Sequence, residues 1–140
     1  MESLIELFFD RLIHERPLRY FDDEVKAVFG IDIFASEFPR DKGYQILHGK
    51  NADLLLIRLD DLNQCAEQAF KDFLFIDDFR LLQTNVGGNK VYAPLYNEFK
   101  RKICVPQDYM DQMYTSRYAR HFYNQDELQK LTRKWGEATA

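Results

Sequence analysis

The chain has 140 residues, of which 46% are apolar, 15% aromatic and 30% charged, with a net charge of −4. That length and balance predict a single domain over residues 1–140, with a core able to fold without disulfides or metals, and they exclude a disordered tail or low-complexity linker. The negative balance argues against a general nucleic-acid binder, which needs a basic face.

The first segment, Ser3 to His14, carries Leu4, Ile5, Phe8, Phe9, Leu12 and Ile13 at helical spacing. Glu2 and Glu6 lie early and Arg11, His14 and Arg16 late, as the helix dipole favours, and Pro17 is expected to end the helix. Asp22 is expected to cap a short helix, Asp23 to Phe29, with Val25, Val28 and Phe29 inward and Gly30 as its stop. Ile31 to Phe34 alternates as an extended segment does, and Ser36 to Gly43 is a loop. Tyr44–His48 and Asp53–Leu59 predict a β-hairpin around Gly49-Lys50-Asn51. The apolar run Leu54–Ile57 suggests a central strand covered on both faces.

Asp60 or Asp61 should cap the next helix, whose stripe is Leu62, Cys65, Ala66, Ala69, Phe70, Phe73 and Leu74. Asp77-Asp78 marks a turn, Phe79 to Gln83 a short strand, and Asn85 to Lys90 a loop. Pro94 opens a helix with Leu95, Tyr96, Phe99 and Ile103 inward, and Pro106 opens another with Tyr109, Met110, Met113 and Tyr114. Asn124 and Glu127 have capping-box spacing for a last helix with Leu128, Leu131 and Trp135 inward. The expected class is therefore α/β and α-rich, with helices packed around a short sheet or hairpin.

Chemistry-bearing motifs are sparse. There is no G-x-x-x-x-G-K-[ST] loop, no G-x-S-x-G elbow and no H-E-x-x-H. Cys65 and Cys104 are isolated and read as buried free thiols, and His14, His48 and His121 are too scattered for a metal site. Asp22-Asp23, Asp60-Asp61 and Asp77-Asp78 read as caps and turns. Functional groups are densest from Tyr114 to Tyr123. Arg117 and Arg120 suit bidentate anion binding, with Ser116, Tyr118 and Tyr123 adding hydroxyls and His121 a proton carrier. Arg117 and His121 share a face if the stretch is helical. The same stretch also reads as a surface turn whose aromatics anchor the last helix.

The pattern Tyr-x-Ser-Arg-Tyr-x-x-His-Phe-Tyr at Tyr114–Tyr123, followed by the helix ending Lys134-Trp135, resembles the C-terminal signature of the capsular polysaccharide synthesis proteins, bacterial relatives of the sulfotransferases. Phe21-Asp22-Asp23-Glu24 with Val28-Phe29-Gly30-Ile31-Asp32 is similar to another stretch of that family, and Leu56 to Leu62 to the strand-to-carboxylate turn of sulfotransferases. The resemblance implies the C-terminal part of a sulfotransferase-like P-loop fold, with 3′-phosphoadenylyl sulfate as donor and a saccharide as acceptor. The donor loop has no counterpart here, so no catalytic residue carries over. Met1 to His14 looks like the helix following that missing half.

Two functional expectations follow. One is a sulfotransferase-like portion, inactive alone and binding no donor by itself, with Ser116, Arg117, Tyr118, Arg120, His121 and Tyr123 near an anion or sugar. The alternative is a stand-alone binding or protein-interaction module, its partner a missing half or another protein. The longest aliphatic run, Leu54–Ile57, is far short of a membrane span, and Met1–Glu6 lacks the marks of a signal peptide. A cytoplasmic protein is expected.

Overall fold

The structure is a computed structural model that describes residues 2–82, 84 and 86–136. It is helix-rich with one small antiparallel sheet, and it divides into two compact units, residues 19–82 and residues 1–18 with 83–140.

The contiguous unit begins inside α2 (Arg16–Tyr20), which runs on through a π-helical stretch, Phe21–Lys26, into α3 (Ala27–Phe29). Gly30, at φ 69°, stops the helix, and its N–H donates to the Lys26 carbonyl at 2.9 Å. Asp22 lies inside this stretch and does not start it, because Pro17 already occupies the first turn of α2, where a missing N–H costs nothing. Val25 is buried as expected, but Val28 is 65% exposed and Phe29 is also exposed. The wide π turns shift the angular phase, so these two leave the face that Val25 buries.

Ile31 to Phe34 is not extended. Asp32 caps a 3₁₀ turn, Ile33–Ala35, by accepting the Phe34 N–H at 3.0 Å, the local bond that Asp offers in competition with extended backbone. Ile31 and Ile33 are nonetheless both buried.

β1 (Tyr44–His48) and β2 (Asp53–Ile57) form the predicted hairpin, in register from Tyr44↔Ile57 to His48↔Asp53. The Gly49 N–H closes the turn on the Ala52 carbonyl at 2.9 Å. β2 is not a central strand: the sheet has two strands, and Leu54 to Ile57 are half-buried. It ends before Leu59 because Arg58 turns the chain into a 3₁₀ segment, Leu59–Asp61. Gly43 is required just before β1. Its φ is 76°, and a Cβ there would meet Asp61 Cβ at 2.6 Å.

α4 (Leu62–Leu74) covers the hairpin with Cys65, Ala66 and Ala69, and the core cluster joins Tyr44, Cys65 and Ala69 with Leu55 and Ile57 at its border. Small residues on the buried stripe let the helix approach the strands closely. Leu74, predicted inward, is exposed where α4 runs out onto Phe75, a left-handed residue at φ 58°. Phe79 to Leu82 is not a strand: the Phe79 ring stacks on Phe70 at 4.0 Å, so side-chain packing holds the segment in place of a ladder. Gln83, the end of that predicted strand, and Asn85 lie outside the described residues.

The second unit contains α1 (Glu2–Arg11), α5 (Ala93–Lys102), α6 (Gln107–Tyr114), α7 (Arg117–Phe122) and α8 (Gln125–Gly136). α1 stops at Arg11, short of the predicted His14. Pro94 lies in the first turn of α5 as predicted, and Pro106 caps α6. Ile103 is buried and Phe99 partly so, but Leu95 and Tyr96 are exposed. Cys65 is buried whereas Cys104 is exposed, against expectation, because Cys104 follows α5 on an irregular segment outside its inner stripe. α8 opens on a reciprocal capping box: Glu127 N–H donates to Asn124 Oδ1 at 2.9 Å, and Asn124 N–H to Glu127 Oε2 at 2.7 Å. Among the described residues no helix is long and apolar enough to cross a membrane.

Candidate functional site

The most organised concavity lies within the helical unit, a cavity of about 490 Å³. The segment Leu12–His14 with Pro17 and Leu18 forms one wall, α6 supplies Tyr109, Met113 and Tyr114, α7 supplies Tyr118 and Ala119, and Tyr123 with Leu128 and Leu131 of α8 completes it. Each contribution has a local cause. Tyr109, Met113 and Tyr114 share one face of α6 by helical spacing. Ser116 starts α7, its Oγ accepting the Ala119 N–H at 3.1 Å and donating to the Met113 carbonyl at 2.6 Å. The capping box sets where α8 begins, and so where Leu128 and Leu131 point.

The polar groups of this cavity are four phenols and one imidazole. His14 Nε2 lies 2.6 Å from the Phe8 carbonyl oxygen, and its Nδ1 lies 2.9 Å from the Tyr109 hydroxyl. The His14 and Tyr109 rings meet edge-on at 5.0 Å, and Phe9 packs edge-on against Tyr109 at 5.5 Å. Burial pushes the Tyr109 hydroxyl above the usual phenol range, and burial followed by the neighbouring Tyr109 does the same for Tyr114. Both are held as neutral phenols. Such a site can stack the apolar face of a ring and hydrogen-bond the hydroxyls around its edge.

The residues singled out in the sequence separate here. Tyr118 and Tyr123 line the cavity. Ser116 serves α7 as its cap. Arg117 and Arg120 are exposed, and His121 is partly buried, its ring edge-on to Phe122 at 4.8 Å. Arg117 and His121 do share a helical face, on a helix of only six residues. The sequence has no phosphate loop, and the Ser116 hydroxyl is engaged by the backbone on both sides. Among the described residues no cluster of three or more His, Cys, Asp or Glu is placed to hold a metal.

His14, Tyr109 and Tyr114 were not singled out as site residues in the sequence. His14 and Tyr109 stand 95 positions apart, and no local pattern links them. The only sequence signal was the pairing of Tyr109 with Tyr114 on one helical stripe, which reads equally as core.

The contiguous unit carries its own polar network. Asp72 accepts from the Tyr44 hydroxyl at 2.6 Å, from Gln68 Nε2 at 2.6 Å and from Lys42 Nζ at 3.4 Å. The Tyr44 hydroxyl bond, then Gln68, hold the Asp72 carboxyl below its usual range. Arg58 and Asp61 pair, with Arg58 NH2 donating to Asp61 Oδ1 at 3.0 Å, both side chains largely buried. The Asp61 carboxylate is therefore turned back to the strand end, and α4 has no side-chain cap from it. This network ties the turn from strand to helix.

A sequence model of the NKWYS family, described as "Putative capsular polysaccharide synthesis protein", matches residues 1–124, and the chain belongs to that family. No curated protein and no solved structure matches the chain.

Proposed function

We propose that this member of the capsular polysaccharide synthesis family contributes a saccharide-binding site, formed by the tyrosine-lined cavity of its helical unit. The observation that carries the reading is the convergence of Tyr109, Tyr114, Tyr118 and Tyr123 with His14 on one cavity of about 490 Å³, a size that suits one or two sugar rings. Rings supply flat apolar area, and phenols supply hydrogen bonds at its edge. Family membership makes a glycan the natural ligand class.

A sulfotransferase-like role for the protein draws on the resemblances at residues 21–32, 56–62 and 114–123. In that role the chain provides the acceptor-facing wall, and the donor is held elsewhere.

Equilibrium dialysis against labelled capsular oligosaccharide fragments tests the reading. Retention by the chain, weakened about tenfold by Tyr118→Ala with Tyr123→Ala, supports it, by the loss expected of two ring contacts. Retention unaffected by that variant, or none at all, overturns it. Titration with 3′-phosphoadenosine 5′-phosphate should give no heat. Tight binding abolished by Arg117→Ala with Arg120→Ala would move the site to the exposed face of α7.

A further inference from the structure

We infer that the cavity selects an uncharged, hydroxyl-rich sugar ring over an acidic one, and that His14 is the positioning residue that fixes how Tyr109 meets it. The inference rests on the saccharide reading above and adds to it the charge class of the ligand.

A carbonyl oxygen only accepts, so His14 Nε2, 2.6 Å from the Phe8 oxygen, carries the proton of the neutral imidazole. Nδ1 is then an acceptor. The Tyr109 hydroxyl, 2.9 Å away, donates its single proton there. Its oxygen keeps its remaining lone pairs, so toward the cavity Tyr109 is an acceptor of ligand hydroxyl protons. A sugar hydroxyl can donate to that oxygen, whereas a carboxylate or sulfate oxygen cannot.

The rest of the wall adds phenol hydroxyls, which donate as well as accept, but no formal charge. Among the described residues that line the cavity none is Arg, Lys, Asp or Glu. An anion drawn into it would lose water and gain no opposite charge, which is costly without a partner. Burial keeps Tyr109 and Tyr114 as neutral phenols above their ordinary range, so the wall does not become anionic near neutral pH. Arg117 and Arg120 are absent from this wall.

Two measurements test this on the full chain. The first is the ¹⁵N spectrum of histidine-labelled protein at pH 8, where only three imidazoles contribute and His14→Gln assigns one of them. A proton on Nε2 and a bare Nδ1 at His14 are expected, and the opposite tautomer overturns the positioning role. The second is titration by saturation-transfer NMR with methyl glycosides of glucose, galactose and mannose and with their uronates. Neutral glycosides should bind about tenfold or more tighter than the uronates, the penalty of one unpaired charge. Tyr109→Phe, which keeps the ring, should weaken the neutral sugars about tenfold. Uronates that bind as well as neutral sugars sink the inference while leaving the saccharide reading in place. No binding by any of the glycosides removes both.

Discussion

Residues 19–82 and the helical unit solve the burial problem in opposite ways. In the former, Tyr44 is 1% exposed, small residues of α4 bring the helix down on the hairpin, and the polar ends of the core are tied off by Asp72 and by the Arg58–Asp61 pair. In the latter, Ile103, Met110 and Phe122 are buried, yet cavities of about 490 and 510 Å³ remain, the second lined in part by Ile103 and Met110. Large rings on short helices leave open concavities here, whereas alanine and cysteine let α4 approach the strands closely. The comparison teaches that the aromatic richness of this chain does not everywhere mean a dense core. In one unit a ring is the keystone of the packing. In the other, rings wall a space that a ligand can enter.

The sharpest way to break this contrast is Tyr44→Ala. Loss of a fully buried ring should cost about 3–5 kcal/mol, read as lost amide protection in β1 and β2. Trp135, the only tryptophan, lies in the helical unit and reports it separately. An equal shift of its fluorescence transition would show that the two regimes are one. A smaller effect comes from Asn124→Ala, which removes one arm of the α8 capping box and should lower the Trp135 transition by about 1 kcal/mol while sparing the strand amides.

The mildest test uses pH. The folded Asp72 carboxyl titrates below the ordinary 3.8, chiefly through the Tyr44 hydroxyl. Its contribution is therefore present above about pH 4 and is lost as pH falls through the depressed value. Asp72→Asn should flatten the acid limb of hairpin protection and leave neutral pH nearly unchanged. An unaltered acid limb would assign it to other carboxylates.

What was legible in the sequence was what is local. The hairpin, the Gly30 stop and the Asn124–Glu127 capping box each depend on residues within a few positions, and each stands where spacing put it. Helical stripes were legible as stripes, but spacing does not say what covers them. Leu95 and Tyr96 lie on the predicted face of α5 and are exposed, and Val28 is turned out by a π stretch that no spacing rule announces. The start of α2 was hidden because proline both ends and begins helices, and here Pro17 begins one. Tyr118 and Tyr123 stand out in the sequence by the density of functional groups around them, and both line the cavity. His14 was hidden because its partner is fixed only by the tertiary fold.

One feature of the chain's layout bears on how it comes to fold. The hairpin unit is contiguous, whereas the helical unit is assembled from segments on either side of it. During synthesis, residues 19–82 can reach their native contacts as soon as they emerge, while α1 must wait for α5 and then α6 to be made. The bond between His14 and Tyr109 spans 95 positions and closes the largest loop among the described side-chain bonds within the site. The tyrosine-lined cavity is thus a late product of folding, and a nascent chain holds the apolar face of α1 open until α5 and α6 arrive. A chaperone that shields apolar helices during that interval should raise the yield of the binding-competent protein more than the yield of the folded hairpin.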